Sequence, residues 1–403
     1  MTKESIQSEA VERISKHSRV ILSWATGLGK SAAAIKMLNK IVQEKINCKV
    51  LLVVAESAHK SNWDNEFNRF SLSKCDLTVE CFASLKKYRD SKWDVVIIDE
   101  AHHIGSDLRM DIISTIKSDY MILLSATMPN DTIFYLSQIF GKFHIFNITL
   151  DDAIKAGILP KPKIYLIPLT LNKTEYSCTI IEEWGNKKLR KVIKCNYPER
   201  WKYLKNKKEY PNVQLEISCT EQQKYDYYSD KFEFYKNSYM RSRSIALKNK
   251  WLQTGSQRKT FLGELKTPIV RKFIRKVLDK RFVCFCTSIN QAETLDKNHS
   301  IHSKKKNSLE IIDNFNNKSI NNLFAVNMIQ EGQNLTDIEV GIIIQLDGQE
   351  RAFIQKFGRT LRADSPTQYI FYYENTRDEE YLDKVLEGID NSYVHKVTNT
   401  NKI

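Results

Sequence analysis

Two kinds of hydrophobic pattern alternate over the first 150 residues. Short, continuous apolar runs are typical of buried parallel strands, and apolar residues at every third or fourth position are typical of amphipathic helices. The continuous runs predict strands at 19–23, 49–54, 78–83, 94–99 and 119–125. The helical pattern predicts helices at 4–16, 31–44, 58–68, 107–116 and 131–138. This alternation predicts an α/β lobe whose parallel sheet is covered on both faces, which we assign to residues 1–150.

The same alternation returns in residues 266–390 and predicts a second α/β lobe. Its predicted strands are 281–287, 322–327, 340–346 and 367–374. Its predicted helices lie near 290–297, 307–316, 350–361 and 378–387. Pro160 and Pro162 restrict the backbone, so we interpret residues 151–172 as a linker. Residues 391–403 are polar, and we expect a frayed tail there.

The segment 173–265 has a different composition, rich in Lys, Tyr and Trp, and it is predicted to be a mainly helical, basic insertion. Between 187 and 208 its basic residues are opposed only by Glu199, and aromatic residues are interleaved with them. Basic side chains neutralise phosphates and aromatic rings stack on bases, so Trp201, Lys202 and Lys205 are candidate nucleic-acid contacts. A solvated basic helical hairpin whose aromatic residues face the core would have the same composition, and both interpretations stay open.

Charge and cysteine content narrow the function classes. The 403 residues include 62 Lys and Arg against 48 Asp and Glu, a net charge of +14, which favours a polyanionic partner, with nucleic acid ahead of a membrane surface. The length suggests two or three domains, and no apolar run predicts a membrane span. The eight cysteines form no CxxC pair, so we expect reduced thiols and a cytoplasmic location.

A glycine-rich turn separates the first predicted strand from a helix and has the pattern of a phosphate-binding loop. Glycines let backbone N–H groups point inward, the lysine reaches the β- and γ-phosphates of a nucleotide, and the serine ligates Mg²⁺. We therefore predict an ATP site with Mg²⁺ at Gly27, Leu28, Gly29, Lys30 and Ser31. The chain departs from the usual motif at Trp24, where the motif begins with Gly or Ala.

Two acidic residues follow the largely apolar run 93–98, which is typical of a buried strand, at the edge where open α/β sheets bind ligands. We assign Asp99 to Mg²⁺ and Glu100 to the polarisation of the attacking water. A solvated Asp-Glu turn is the alternative, and it is disfavoured because the phosphate loop lies about 70 residues upstream in the same pattern.

Two further clusters complete the predicted site. Gln355, Arg359 and Arg362 share one face of a helix, and paired guanidinium groups suit the charge that develops on a transferring phosphoryl group. Ser125 and Thr127 follow another strand, one strand end away from the acids, where their hydroxyls can couple the nucleotide state to lobe closure.

These motifs together resemble the superfamily-two helicases and translocases of the DEAH type, from the order Asp99-Glu100-Ala101-His102. The resemblance spans residues 1–390 except the insertion. It implies that Gln7 reads adenine, that Gly332 in the run 331–335 joins ATP to the strand, and that further residues contact nucleic acid. Those implied contacts are Ser57, Ser84, Thr287 and Ser303. Within this family, the chain looks closest to compact bacteriophage helicases related to branch-migration and chromatin-remodelling-type translocases. The features that suggest this are the placement of Trp63 and Glu66, the Gln355 that begins the last motif, and the run 375–381.

The resemblance implies two tandem RecA-like lobes with the insertion between them, and an ATPase that couples hydrolysis in the inter-lobe cleft to movement on nucleic acid. DNA is the preferred substrate, in replication, recombination or repair. An RNA helicase and a duplex translocase that separates no strands remain alternatives, as does an ATP-gated binding module that recruits a nuclease. For a protein of phage origin, the implied location is the host-cell cytoplasm.

Overall fold

Two parallel sheets organise the chain. The computed structural model describes residues 2–45, 47–55, 58–326, 335, 337–346, 366–387 and 389–397. In each sheet, alternate residues of a strand point to opposite faces, and each face packs in a hydrophobic core. Each sheet is therefore buried on both faces. This explains why the strands appear in the sequence as continuous apolar runs.

The first lobe contains a six-stranded sheet in the order β3-β2-β4-β5-β1-β6, with every described pair parallel. Its strands are β1 (Arg19–Trp24), β2 (Lys49–Val54), β3 (Asp76–Cys81), β4 (Lys92–Ile98), β5 (Lys117–Ser125) and β6 (His144–Ile148). Its helices are α1 (Lys3–Lys16), α2 (Lys30–Glu44), α3 (Ala58–Arg69), α4 (Asp107–Thr115), α5 (Asn130–Phe140) and α6 (Leu150–Lys155). Short 3₁₀ helices at Phe82–Tyr88 and Ala101–Gly105 follow β3 and β4.

An insertion with a small core of its own follows β7 (Lys163–Leu169). Its sheet has the order β8-β10-β9, with β10 antiparallel to β8 and parallel to β9. The strands are β8 (Cys178–Trp184), β9 (Lys191–Asn196) and β10 (Val213–Cys219). The helices are α7 (Arg200–Lys205), α8 (Glu221–Ser242) and α9 (Ile245–Leu265), and the last two pack together as a long hairpin.

The second lobe contains a seven-stranded sheet in the order β12-β13-β11-β14-β15-β7-β16. Its later strands are β11 (Phe282–Phe285), β12 (Ser300–Ile301), β13 (Asn322–Ala325), β14 (Val340–Ile343), β15 (Thr367–Tyr373) and β16 (Val394–Lys396). Its helices are α10 (Thr267–Ile274), α11 (Ile289–Asp296), α12 (Ser308–Asn316) and α13 (Arg377–Leu386).

The structure confirms the two parallel-sheet lobes and adds strands that the sequence analysis did not predict. Residues 151–172 are not a bare linker, because they contain α6 and β7, and β7 lies between β15 and β16. The expected frayed tail contributes β16, which pairs with β7. The basic segment 187–208 forms a 3₁₀ turn, β9 and α7 rather than a helical hairpin. The predicted helix 350–361 lies outside the described residues.

Candidate functional site: the ATP site and its surroundings

The phosphate loop connects the carboxyl end of β1 to the first residue of α2. Gly27 has φ +94° and Gly29 has φ +83°, a backbone conformation that favours glycine. A Cβ atom on residue 29 would lie 2.6 Å from Gln7 Nε2, so α1 approaches the loop closely at this glycine. Leu28 is buried, whereas Lys30 and Ser31, at the beginning of α2, are partly exposed. The loop therefore has the open backbone and the helix N-terminus that a phosphate chain requires.

Two side chains beside the loop explain its local sequence. Trp24 is fully buried, and its ring meets the Phe146 ring edge-on, so this departure from the motif fills the core beneath the loop. The Lys30 ammonium lies 3.0 Å from the Trp24 carbonyl oxygen and donates a hydrogen bond to it. Gln7 is buried against the loop, and its Oε1 accepts a hydrogen bond of 2.7 Å from Lys36 Nζ. The structure thus places Gln7 against the loop, and its role in reading adenine stays a prediction.

The two acids lie at the carboxyl end of β4. Asp99 Oδ2 accepts a hydrogen bond of 2.9 Å from the Trp63 indole Nε1, and Asp99 Oδ1 accepts one of 2.9 Å from the Glu100 backbone N–H. Burial raises the pKa of the Asp99 carboxyl and the Glu100 charge raises it further, whereas the Trp63 bond and Lys30 lower it. Glu100 has φ +48°, a strained conformation for a non-glycine residue that directs the chain into the following 3₁₀ helix.

A polar chain runs from Glu100 to the end of β5. His102 Nδ1 lies 3.3 Å from Glu100 Oε2 and 3.1 Å from Ser125 Oγ. The Ser125 hydroxyl donates to the Thr127 carbonyl oxygen at 2.6 Å. His102 and Ser125 are both buried, so the chain is held in one arrangement. Ser125 therefore lies near the acids, with His102 as the connecting side chain, whereas Thr127 takes part through its backbone carbonyl oxygen.

The residues present fit a magnesium nucleotide. The Ser31 hydroxyl and the Asp99 carboxylate are hard oxygen ligands of the kind that Mg²⁺ prefers. Gly27 and Gly29 adopt positive φ angles, which let the loop backbone turn its N–H groups toward a phosphate chain. Among the described residues no group of three or more His, Cys, Asp or Glu side chains forms a separate metal cluster.

Several predicted residues lie outside the described residues: Ser57, Gly332, Gln355, Arg359 and Arg362. Of the other implied nucleic-acid contacts, Ser84 is partly buried, 3.8 Å from Cys81 Sγ, and Ser303 is exposed. Thr287 packs so closely against Gly263 that a Cβ atom there would lie 2.1 Å from its hydroxyl oxygen.

The three candidates on the insertion lie on α7 and are all at least partly exposed. Trp201 has 51% of its surface exposed, so its ring is not part of a core, and the Arg200 guanidinium carbon lies 4.6 Å from the ring centre. Lys202 and Lys205 point their ammonium groups toward Tyr203 and Trp201, respectively. The interpretation as a hairpin whose aromatic residues face the core therefore fails for Trp201 but holds for Tyr203, which packs against the insertion core.

Sequence reasoning missed the roles of Trp63 and His102 at the acids, and missed Lys266 altogether. Lys266 is fully buried at the end of α9, and its Nζ lies 2.6 Å from Asp378 Oδ2 on α13. The same Nζ donates to the carbonyl oxygens of Ile344 and Phe371 at 2.8 and 3.0 Å. Burial lowers the pKa of Lys266, and the Asp378 charge opposes that shift. A basic residue that precedes an apolar helix gives no signal of such a partner in the sequence.

Comparison with known proteins agrees with this geometry. The family "Type III restriction enzyme, res subunit" matches residues 1–89 and 81–130, and the family "Helicase conserved C-terminal domain" matches residues 265–364. The two matches cover the phosphate loop with the acids and the segment that contains the arginine pair. The chain belongs to the superfamily-two helicases.

One relative and two solved structures add detail. The helicase is 20% identical over 376 residues to a protein described as DNA 3'-5' translocase XPB2 from Sulfurisphaera tokodaii, covering 88% of this chain and 77% of the relative. A structure of a variant of S. cerevisiae Dbp5 bound to RNA and ADP BeF3 is similar with a TM-score of 0.60 at 11% identity, over 99% of this chain and 91% of that one. Another Dbp5 structure with the same ligands gives 0.58 at 11% identity, over 97% and 89%. These likenesses show the tandem RecA-like fold, and helicase domains of this kind form a nucleic-acid-dependent ATPase. No described helix of the chain is long and apolar enough to cross a membrane.

Proposed function

We propose that this helicase is an ATP-driven motor that moves along DNA, in replication, recombination or repair. The observation that carries the proposal is the Asp99-Glu100 pair at the end of β4, fixed in place on the same sheet edge as the glycine loop. The similarity to a relative described as a DNA translocase, over 88% of the chain, supports DNA over RNA. We extend the proposal to the DEAH type, on Asp99 to His102, to a compact phage-like helicase and to a cytoplasmic location.

The described residues divide the work of hydrolysis. The loop N–H groups and Lys30 bind the β- and γ-phosphates of ATP, and Glu100 orients the attacking water and accepts its proton. When bound, Mg²⁺ neutralises phosphate charge, and Ser31 and Asp99 would hold it. Outside the described residues, Arg359 and Arg362 are predicted from the sequence to enter from the second lobe when the cleft closes.

The polar chain provides a path from the chemistry to the lobe movement. Because His102 contacts both Glu100 and Ser125, a change at the γ-phosphate position alters the hydrogen bonds at the end of β5. Alternating grip of the two lobes on phosphates then converts each cycle into a step.

The deciding experiment compares ATP hydrolysis by the wild type and Glu100→Gln with no nucleic acid, single-stranded DNA, duplex DNA and RNA. We expect DNA to stimulate the wild type most, and Glu100→Gln to bind ATP and DNA but to turn over on the order of 10²–10⁴-fold more slowly. A strand-displacement assay then separates unwinding from movement on a duplex.

Each other result selects another function. Greater stimulation by RNA would identify an RNA helicase. Tight ATP-dependent DNA binding with slow, unstimulated turnover in the wild type would identify an ATP-gated binding module. Near-normal turnover by Glu100→Gln would remove Glu100 from the role of base.

A further inference from the structure

The α8–α9 hairpin projects away from the rest of the molecule. Its helices have 22 and 21 residues, and at about 1.5 Å per residue each is about 30 Å long. No residue of α8 is buried, and the buried residues of α9 begin only at Thr254. The half of the hairpin around the connection at residues 243–244 is therefore surrounded by solvent.

This distal half carries only positive charge. No acidic residue occurs between Glu233 and Glu264. Lys236 pairs with Glu233 at 3.5 Å. The other basic residues of the distal half are exposed, and they form no ion pair with any acidic residue that the structure describes. They are Arg241, Arg243, Lys248 and Lys250. We call these four residues the hairpin tip.

Aromatic rings beneath the hairpin tip hold its helices together. Tyr239 stacks on Trp251 across the hairpin, with ring centres 5.8 Å apart. Arg243 and Lys250 lie over the rings of Tyr239 and Tyr235, both at 5.7 Å. The Tyr239–Trp251 and Lys250–Tyr235 contacts fix the two helices side by side, so the four cations are held around the connected end of the hairpin before any ligand binds.

The base of the hairpin is fixed to the second lobe. Gly263 packs against Thr287, and the Gly263 carbonyl oxygen accepts a hydrogen bond of 2.7 Å from Gln291 Nε2. Lys266, directly after α9, is held by Asp378 and by carbonyl oxygens at the ends of β14 and β15. The hairpin therefore moves with the second lobe.

We propose that the hairpin tip binds the phosphate backbone of nucleic acid, as an arm of the second lobe that lies outside the two-lobe track. Four exposed cations without acidic partners match a polyanion, and the exposed Met240 and Ile245 between them can pack against sugars. The contact is independent of base sequence, because the phosphates that the cations neutralise are the same at every position of the backbone. This proposal rests on the proposed function only in taking nucleic acid as the partner, since binding at the hairpin tip needs no ATP hydrolysis.

The test neutralises the hairpin tip with Arg241→Gln, Arg243→Gln, Lys248→Gln and Lys250→Gln together. Binding to labelled duplex DNA is measured without nucleotide over a salt series. We expect affinity to fall on the order of tenfold or more at low salt, equally for unrelated sequences. The slope of log affinity against log salt should shrink by about one unit for each phosphate that the variant no longer neutralises.

A matched control removes the same charge elsewhere: Lys16→Gln, Lys92→Gln, Lys117→Gln and Lys142→Gln. These lysines are exposed and lie where strands of the first sheet begin, at the edge opposite the phosphate loop. The control should keep basal ATP hydrolysis, DNA affinity and salt slope, and circular dichroism should show both variants to be folded.

Wild-type affinity and slope in the tip variant would overturn the proposal. So would an equal loss of affinity in the control, which would mean that only net charge matters. Unchanged DNA binding together with lost binding to poly-glutamate would assign the hairpin tip to an acidic protein partner instead. Failure of the proposed function is separate, since it would appear as ATP hydrolysis that DNA does not stimulate while tip-dependent DNA binding persists.

Discussion

At the scale of single residues, Asp99 shows how a correctly predicted side chain can have surroundings that the sequence does not reveal. Its place after an apolar run predicts its role, but its partner Trp63 lies on α3, 36 residues earlier in the chain. The indole N–H fixes one carboxylate oxygen and the Glu100 N–H fixes the other, so the carboxylate has a set direction before any ligand arrives. Preorganisation of this kind reduces the cost of binding.

Trp63→Phe tests that direction by removing the N–H donor while keeping an aromatic ring. A hydrogen bond to a charged group contributes about 1.5–3 kcal/mol, so we expect ATP affinity in the presence of Mg²⁺ to fall on the order of tenfold. ATP affinity in the presence of a chelator should hardly change. Equilibrium nucleotide binding with and without Mg²⁺ provides both values.

Trp93→Phe is the matched control, because its Nε1 donates to Ser91 Oγ at 2.8 Å near the opposite end of β4. It should leave both affinities unchanged. An equal affinity loss with and without Mg²⁺ in Trp63→Phe would mean that Trp63 supports the loop as a whole and not the carboxylate.

At the scale of elements, the buried Lys266–Asp378 pair connects α9, β14, β15 and α13. A buried ion pair contributes little net stability, but the loss of one partner leaves an uncompensated charge in the core. We therefore expect Lys266→Met to lower the free energy of unfolding by about 3–5 kcal/mol. Adding Asp378→Asn should recover part of that loss, since it removes the stranded charge and keeps an acceptor for the Tyr373 N–H.

Denaturant unfolding of the wild type, both single variants and the double variant gives the coupling between the two residues. Additive losses would show that the pair is not coupled, despite the 2.6 Å separation of its charged atoms.

The elements also show where sequence reasoning succeeds. Continuous apolar runs such as 95–98 predict the central strands, because both faces of those strands are buried. Sequence reasoning fails for β9, where Lys191 and Lys194 flank Val192 and Ile193, because the spacing of the basic residues there predicts a helix. It also missed β7, whose partner strand comes from the far end of the chain. Charge composition does not indicate which strands pair or which helices pack together. The structure is therefore needed to recognise the insertion sheet and the α8–α9 hairpin.

At the scale of the whole molecule, the ATP site is expected to draw residues from both lobes. The first lobe supplies the loop and the acids, and the sequence predicts that Arg359 and Arg362 complete the site from the second. Arg359→Ala or Arg362→Ala should reduce turnover on the order of 10³-fold with little change in ATP affinity or folding.

Single-turnover hydrolysis and equilibrium ATP binding measure these two effects separately. Arg271→Ala provides a control, because its exposed guanidinium caps the Thr294 carbonyl oxygen on the second lobe, and it should keep the wild-type rate. Weakened ATP binding at a preserved maximal rate would assign the arginine pair to nucleotide binding and not to the transition state.

The position of β7 has a consequence for biosynthesis. Lys163 of β7 pairs with Thr367 of β15, although the whole insertion and most of the second lobe separate them along the chain. A ribosome therefore completes the first lobe and the insertion, which has its own core, long before the partner strand of β7 is translated. During that interval the apolar β7 has no partner strand for its backbone hydrogen bonds. Aggregation of the nascent chain through β7 is therefore favoured at this stage of translation.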